Sequence, residues 1–313
     1  MSLSKRIFTA FLAFIIVPLF VLGTVSYLFF QNITQEKYAE QTELTLKSIG
    51  RNIYNMIKEA DYFSDFWVTT KDSVEAIEQS IDQENASSRT YAQLQEEELL
   101  RQRVLLTYPG IQSVTLYRND GRILDVNLGN ETPIDEDALK SNPVYKQVER
   151  KNGAPVWIGP YEDPILNGKN NLFTQIRVLL DVDTLKRRGV LVTRFQLNEL
   201  SRIFSFYNGE DNADRRYLIV GKDNTIIFDN QSKAEGLNIA SLVDFEKAGI
   251  DFENTQYRST TLPFDGSKSL VSIQDLQLER LGVGEWKLVM VTSWSYLSGD
   301  ALVVLRWMVV ATA

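Results

Sequence analysis

The first apolar feature of this chain is one long run without a charged side chain. Residues 7–30, IFTAFLAFIIVPLFVLGTVSYLFF, form 24 uncharged positions. A bilayer core requires about 20 such residues in a helix. The run therefore predicts a transmembrane helix, in which Pro18 is tolerated as a kink. Lys5 and Arg6 precede the run, which predicts a cytoplasmic N-terminus.

Two alternatives bear on how the chain meets a membrane. The run at 7–30 is longer than the apolar region of a signal peptide, and no clear small-x-small cleavage site follows it, so we prefer an uncleaved anchor. Residues 299–313 end in ALVVLRWMVVATA, which is too short to span a bilayer. We interpret that segment as the truncated start of a second transmembrane helix, and a final buried helix is the alternative. Residues 31–298 are then extracytoplasmic.

A helical pattern follows the first run. Within residues 31–64, apolar side chains recur at steps of three and four residues, which places them on one helical face. These residues are Leu46, Ile49, Ile53, Met56, Ile57 and Ala60. The stripe predicts a long helix that packs against the body of the domain. A second helical stretch is expected at about 70–107, ended by Pro109 and Gly110.

Strand patterns begin after this helical region. Residues 113–117 and 123–126 are rich in strand-forming side chains, and the turn 119–121 between them, Asn-Asp-Gly, predicts a hairpin. The same unit recurs 103 residues later at 218–220 and 225–229. This weak internal duplication predicts two similar modules in tandem rather than one sheet.

The remaining pattern completes an α+β fold. A polar helical region at 135–152 and a helix at 197–206 are expected, with strands between and after them. The predicted strands are 156–158, 173–180, 190–195, 257–262, 268–273 and 286–292. We therefore predict a long N-terminal helix followed by two antiparallel-sheet modules, at about 111–200 and 213–292.

Composition excludes several functions. The chain has 313 residues, a net charge of −8, no cysteine and no histidine. An acidic chain repels nucleic acid, so we predict no nucleic-acid partner. Disulfides, thiolate metal sites and Ser–His or Cys–His catalysis require residues that are absent. We predict no catalytic site, no metal site and no cofactor.

These elements resemble the double-Cache (dCache) sensing domain of bacterial receptors, over roughly 31–298. The resemblance rests on short motifs in a fixed order: WxxPYxD at 157–163, GVLV at 189–192 leading to Leu197 and Leu200, and EWKLV at 285–289. It implies two tandem PAS-like modules, of which the membrane-distal one, about 111–200, holds the ligand. For the proximal module, about 213–292, the resemblance implies a role as a relay or a stabiliser.

A finer resemblance concerns the parent receptor. Lys5 and Arg6 with the IIVPL run at 15–19, and PVYK at 143–146 with the GxPxW motif at 153–157, are similar to YesM-like sensor histidine kinases. This implies the input half of a two-component kinase, in a homodimer, with the catalytic half beyond this chain. A chemoreceptor or a cyclic-dinucleotide synthase is the alternative output. An extracytoplasmic hydrolase is a weaker rival, since no acidic pair among 41 acidic residues stands out.

The resemblance also implies a ligand pocket. Of the amino-acid recognition motif found in some dCache domains, Tyr145, Tyr161 and Asp163 match, but the Tyr and Arg positions fall on Asp137 and Asn142. The position of the ammonium-binding Asp falls on Arg194.

A cation at position 194 repels an ammonium and attracts a carboxylate, so we expect a sugar or a carboxylate rather than an amino acid. The aromatic rings predicted in the pocket can also stack on a sugar. The candidate ligand-binding residues are Tyr117, Tyr145, Trp157, Tyr161, Asp163, Arg177, Asp181 and Arg194.

Overall fold

The computed structural model describes residues 3–69, 110–121, 123–127, 131–181, 184–207 and 215–299. The helical stretch predicted at 70–107 lies outside these residues, as do positions 300–313 of the second apolar segment. Among the described residues, no helix is both long enough and apolar enough to cross a membrane.

One helix, α1, accounts for the N-terminal part of the fold. It spans Leu3–Thr69, and Pro18 lies within it. The predicted stripe is confirmed as its buried face: Leu46, Ile49, Ile53 and Ile57 are each 0% exposed. Gly50 lies on the same segment, where a Cβ atom would fall 3.2 Å from the Leu276 side chain, so the helix approaches its neighbours closely there.

The first sheet belongs to the distal module. Its strands are β1 (Ile111–Arg118), β2 (Ile123–Asn127), β3 (Val156–Ile158), β4 (Phe173–Leu180) and β5 (Arg187–Phe195). They are antiparallel in the order β2-β1-β5-β4-β3. The helices α2 (Glu136–Ser141), α3 (Pro143–Lys151) and α4 (Pro164–Asn167) lie in the β2–β3 and β3–β4 connections. Asn142 separates α2 from α3 by capping the latter with its side chain.

Helix α5 (Asn198–Tyr207) precedes a second sheet in the proximal module. Its strands are β6 (Arg215–Val220), β7 (Ile226–Asp229), β8 (Tyr257–Phe264), β9 (Ser267–Asp275) and β10 (Lys287–Ser293). Short 3-10 turns lie at Lys222–Asn224, Ile239–Ser241 and Leu278–Leu281. The strand order β7-β6-β10-β9-β8 repeats that of the first sheet, as the duplicated hairpin pattern predicted.

Both sheets turn their inner faces to α1. One core cluster contains the α1 stripe together with inner-face residues of the distal sheet, such as Leu191 and Phe195, and of the proximal sheet, such as Ile219 and Leu288. The predicted α+β architecture, a long helix followed by two antiparallel sheets, is therefore confirmed.

Polar contacts give the order of the modules along α1. Gln35 donates to Thr261 in β8 at 3.0 Å, and the carbonyl of Ala39 accepts from Tyr257 at 2.9 Å. Farther along the helix, Asp61 accepts from Gln175 in β4 at 2.9 Å. The proximal sheet therefore lies beside the earlier part of the helix and the distal sheet beside its end.

The outer face of the proximal sheet is closed by its own apolar cluster. Val271, Ile273 and Val289 are each 0% exposed there, against Phe245 and Phe252, whose rings stack at 4.7 Å. At its edge, the buried Asp229 carboxylate accepts from Arg216 at 2.7 and 3.1 Å and from the backbone of residues 231, 233 and 234.

We expect the shared core to dominate stability. Replacing Leu46 by alanine should lower the free energy of unfolding by about 2–5 kcal/mol, because it opens a cavity at a fully buried position. Leu44, 65% exposed on the same helix, is the matched control, and Leu44→Ala should change it by less than about 0.5 kcal/mol. Denaturant titration of the full chain in detergent, followed by circular dichroism, measures both. Equal effects would contradict the buried stripe.

Acid stability should depend on Asp229. Burial alone would raise its pKa, but the hydrogen bonds from Arg216 and from the amides of Gln231 and Lys233 outweigh burial and lower it. A carboxyl group with a depressed folded pKa adds stability above its unfolded pKa of about 3.9, and this stability is lost as pH falls through the folded value.

Asp229→Asn should therefore destabilise the protein by about 3–5 kcal/mol at neutral pH and flatten the loss of stability below about pH 4. The exposed Asp265 has a φ of 49°, which asparagine also tolerates, so Asp265→Asn is the control. Unfolding midpoints across the acid range test this, and parallel curves for Asp229→Asn and the wild type would refute it.

Candidate functional site

The outer face of the distal sheet is apolar on one side and polar on the other. Toward β3 and β4 it is apolar, with Ile158, Ile176 and Val178 buried beneath α3 and α4. Toward β2, β1 and the Arg194 end of β5 it is polar. The residues that form this polar cluster are Ser113, Thr115, Tyr117, Asp125, Asn127 and Arg194, together with Glu131 and Asn170 from the covering segments. Polar groups that converge in this way can fix the orientation of a small ligand.

Arg194 is the centre of the polar cluster. Its side chain is 4% exposed. The guanidinium donates to the carbonyls of Thr132 at 2.9 Å and Leu166 at 3.2 Å, and its Nη1 lies 3.7 Å from Glu131 Oε2. Burial lowers the pKa of Arg194, and the carboxylate of Glu131 opposes this effect. The sheet therefore holds a fixed cation beneath the covering segments.

Glu131 is held against Arg194 from several sides. Its carboxylate accepts from the Asn170 side chain, and its carbonyl accepts from Asn127. Gly168 has a φ of +68°, and a Cβ atom there would fall 2.5 Å from Glu131 Oε2 and 3.8 Å from Arg194 Cζ. Only glycine satisfies both the backbone conformation and the space at this position.

A second carboxylate completes the polar cluster. Asp125 in β2 accepts from Thr115 Oγ1 at 2.6 Å. Burial raises the pKa of Asp125, while the hydrogen bond from Thr115 and the charge of Arg194 lower it less strongly. The neighbouring Ser113 Oγ is buried and has no hydrogen-bond partner among the described residues. The cluster therefore combines one cation, two carboxylates and a free hydroxyl.

Tyr117 fixes the segment that covers this face. Its hydroxyl donates to the carbonyl of Ile134 at 2.8 Å, and burial raises its pKa. Of the eight residues predicted from the sequence, Tyr117 and Arg194 are the two that the structure brings together in the polar cluster.

Asp163 supports the cluster without belonging to it. Its carboxylate accepts from the amides of Ile165 and Leu166 and from Asn142 Nδ2 at 2.7 Å, so it caps α4 and ties it to α3. The capped helix supplies the Leu166 carbonyl to Arg194.

Tyr161 lies at the contact between the modules. It has a φ of 66°, and a Cβ atom at Gly236 of the proximal module would fall 3.3 Å from its ring. Burial raises the pKa of Tyr161, and the neighbouring Glu235 adds to this effect.

Tyr145 and Asp181 lie toward the β4–β5 turn. Arg187 donates to the Tyr145 hydroxyl at 2.5 Å, and its Cζ lies 5.8 Å from the ring centroid. Asp181 accepts from the amide and hydroxyl of Thr184 and from Arg188, and these hydrogen bonds lower its pKa.

Trp157 and Arg177 lie on the inner face of the sheet, opposite to Arg194. The Trp157 ring stacks on Phe173 with centroids 4.6 Å apart. Arg177 binds Asp65 of α1 at 2.6 Å and donates to the carbonyl of Gly153 at 2.9 Å. Both residues therefore attach the distal sheet to the shared core.

Sequence reasoning missed Asp125, Glu131, Gly168 and Asn170. The alternation of Asp125 and Asn127 with apolar residues in β2 was a signal for one polar sheet face. No local pattern marks Glu131, because the partners of its carboxylate, Asn170 and Arg194, lie on the β3–β4 connection and on β5.

Similar solved structures share this fold. The extracellular domain of a histidine kinase superposes with a TM-score of 0.58 at 13% identity, covering 85% of this chain and 98% of that one. The ligand-binding domain of the Pseudomonas aeruginosa amino-acid chemoreceptor PctC, solved with GABA, gives 0.52 at 12% identity, covering 82% and 100%. That of Pseudomonas fluorescens CtaA, solved with L-isoleucine, gives 0.50 at 14%, covering 86% and 98%. No curated protein sequence matches the chain.

A family profile described as a Cache domain matches residues 30–301. This span includes most of α1, both sheets and the polar cluster, which is most of the chain. The two sheets of identical strand order against one long helix agree with that match. The chain therefore belongs to the Cache domain family of extracytoplasmic sensor domains.

Proposed function

We propose that this chain is the input half of a membrane-anchored receptor, and that its ligand binds at the polar cluster of the distal sheet. The observation that carries the proposal is the difference between the two outer faces. The proximal one is closed by apolar packing, whereas the distal one buries Arg194 with polar side chains from three strands. Burying a polar group costs free energy where no hydrogen bond offsets it, and a polar ligand can supply the partner that Ser113 Oγ lacks among the described residues.

The ligand that fits best carries a carboxylate. Nε and both Nη atoms of Arg194 already donate to the carbonyls of Leu166, Thr132 and Ile165, so the guanidinium is fixed in place and its positive charge attracts a carboxylate. In the structure Glu131 Oε2 lies 3.7 Å from Arg194, a loose ion pair compared with the 2.6 Å between Arg177 and Asp65. A ligand carboxylate would take the place of Glu131 at the guanidinium. Of the two ligand classes predicted from the sequence, a carboxylate is thus favoured here over a neutral sugar.

An amino acid is the second candidate, on a specific observation. Asp125 lies in the same cluster as Arg194 and is a carboxylate that can pair with an ammonium. The chemoreceptor domains PctC and CtaA, similar in fold, were solved with GABA and L-isoleucine. The sequence argument against an amino acid rested on the motif positions that fall on Asp137, Asn142 and Arg194, and it did not include Asp125.

The membrane arrangement follows from the sequence. Residues 7–30 carry no charge and follow Lys5 and Arg6, so we place the N-terminus in the cytoplasm and residues 31–298 outside it. The segment 299–313 begins a second transmembrane helix in this arrangement. The distal module spans about 111–200 and the proximal module about 213–292.

The output is a YesM-like sensor histidine kinase in this proposal, with the receptor as a homodimer. The kinase-like motifs at 15–19 and 143–146 support it, and the fold of a histidine kinase's extracellular domain is similar. A chemoreceptor remains the alternative output, because the PctC and CtaA domains have the same fold. Ligand binding shifts the population of two states by its differential affinity, and α1 carries that bias to the membrane.

A ligand screen with an Arg194 variant tests the site. The full chain in detergent is heated with succinate, acetate, GABA, amino acids and neutral sugars. A ligand at about 100 times its dissociation constant should add roughly 2.7 kcal/mol of stability. Arg194→Gln should weaken carboxylate binding by roughly 10-fold or more, because it removes a charge-assisted hydrogen bond.

The matched control is Arg202→Gln, since Arg202 is 78% exposed on α5. The Arg202→Gln variant should bind carboxylates with the same affinity as the wild type. Carboxylate binding that survives Arg194→Gln in a folded protein would overturn the proposed site.

Glu131 separates the two ligand classes. If a ligand carboxylate displaces Glu131, then Glu131→Gln should strengthen carboxylate binding several-fold, because the internal competitor loses its charge. If the ligand is an amino acid whose ammonium contacts the acidic groups, Glu131→Gln and Asp125→Asn should both weaken binding. Isothermal titration of both variants with succinate and with the amino acids of the screen decides between them.

A further inference from the structure

Two contacts with α1 fix the direction in which strand β8 runs. Tyr257 donates to the carbonyl of Ala39, and Thr261 accepts from Gln35. From the first contact to the second, β8 advances by four residues while α1 goes back by four residues. Strand β8 therefore runs toward the N-terminus of α1, and its last residues point toward the apolar run 7–30.

The turn that follows β8 lies at the level of the membrane surface in the arrangement proposed above. Continuing the same pairing by four residues places Asp265, in that turn, level with position 31 of α1, directly after the run 7–30. A helix rises about 1.5 Å per residue, and lipid headgroups add about 5–7 Å on each side of the hydrocarbon core. Pro263 and Lys268, which pair across this hairpin, fall within the same layer.

An aromatic and a cationic side chain meet at this level. The Lys268 Nζ atom lies 3.7 Å from the centroid of the Trp294 ring. Trp294 directly follows Ser293, the last residue of β10, and Ser293 pairs with Ser269 next to Lys268. Lys268 is exposed and Trp294 is half-buried. Tryptophan and lysine are suited to a bilayer surface, because each joins an apolar body to a polar end.

The charges at this end of the module match a zwitterionic lipid. The ammonium of Lys268 has N–H donors for a phosphate, and the exposed carboxylate of Asp265 attracts a headgroup ammonium. The whole chain has a net charge of −8, so an anionic surface repels it. A headgroup that carries both a phosphate and an ammonium therefore fits this surface better than an anionic headgroup does.

We propose that the base of the proximal module, defined as the turn 264–267 with Lys268 and Trp294, lies in the headgroup layer and binds zwitterionic phospholipids there. This inference rests on the membrane arrangement of the proposed function. Bound lipid holds the proximal module at a fixed depth and limits its tilt, so the membrane supports the module from below while α1 packs along its inner face.

The depth of the base is tested with single cysteine labels, which the chain permits because it contains no cysteine. Ser267→Cys carries a bimane label at the exposed turn, and Glu253→Cys carries it at an exposed position beside the cavity between the modules, beyond the other end of β8. The full chains are labelled in detergent and reconstituted into phosphatidylcholine vesicles that contain some lipid with a nitroxide on its headgroup. The label at 267 should be quenched, and the label at 253 should not.

A third label separates this proposal from the proposed membrane arrangement. Val25 is 60% exposed within the run 7–30, so a label on Val25→Cys should be quenched by lipid with a nitroxide on its acyl chain. Quenching at 25 without quenching at 267 would overturn the headgroup contact and leave the anchor intact. Absence of quenching at both positions would overturn the membrane arrangement and this proposal with it.

The chemistry of the contact is tested at Lys268. Lys268→Gln should lower the quenching at position 267 about two-fold or more, because it removes the charge-assisted hydrogen bond to phosphate. The matched control is Lys233→Gln, since Lys233 is exposed in the loop that reaches Tyr161 of the distal module at Gly236. The control should leave the quenching unchanged.

Two further results would overturn the lipid assignment. One is quenching at 267 that Lys268→Gln leaves at the wild-type value, which would exclude the phosphate contact. The other is stronger quenching in anionic phosphatidylglycerol vesicles than in phosphatidylcholine vesicles, which would exclude a preference for zwitterionic headgroups.

Discussion

The fold depends on one constraint: a single helix must cover the inner faces of two sheets. The α1 residues from Leu46 to Phe63 supply the apolar surface that both modules share, in one continuous cluster. Neither sheet buries its inner face without the helix, because a sheet with one exposed apolar face is not stable in water. The hydrogen bonds at Gln35 and Asp61 mark the two ends of this shared contact. The modules are therefore one mechanical unit, although each has its own sheet.

The duplicated modules have kept the topology and changed the outer face. In the proximal module the Arg216–Asp229 pair closes the edge, and both oxygens of the carboxylate are satisfied by the guanidinium and by backbone amides. In the distal module Arg194 has backbone carbonyls and a more distant carboxylate, and Ser113 has no partner among the described residues. Full satisfaction makes a rigid support, whereas partial satisfaction leaves groups for a ligand.

Much of the fold was predictable because its signals are local. The α1 stripe, the hairpin turns and the strand composition each lie within a few residues, and the repeat at 103 residues identified two modules. The site was less predictable because it depends on which sheet face a residue occupies. Trp157 and Arg177 were grouped with Arg194, yet strand pairing places them on the opposite face. The partner of Arg177, Asp65, is 112 residues away along the chain, and no local pattern connects them. Glu131 was missed for the same reason.

The close packing of α1 also limits how it can move. A helix rises about 1.5 Å and turns about 100° per residue. A screw movement of α1 by one residue would therefore rotate its buried apolar stripe by about 100°, away from both sheets. With Leu46, Ile49 and Ile53 fully buried and Gly50 against Leu276, such a step would expose the core. Only displacements well below one residue, or slight tilts about the stripe, preserve the contact. A receptor with this architecture must report through small rigid-body movements of α1. Its output machinery must respond to displacements of the helix smaller than the rise of one residue, about 1.5 Å.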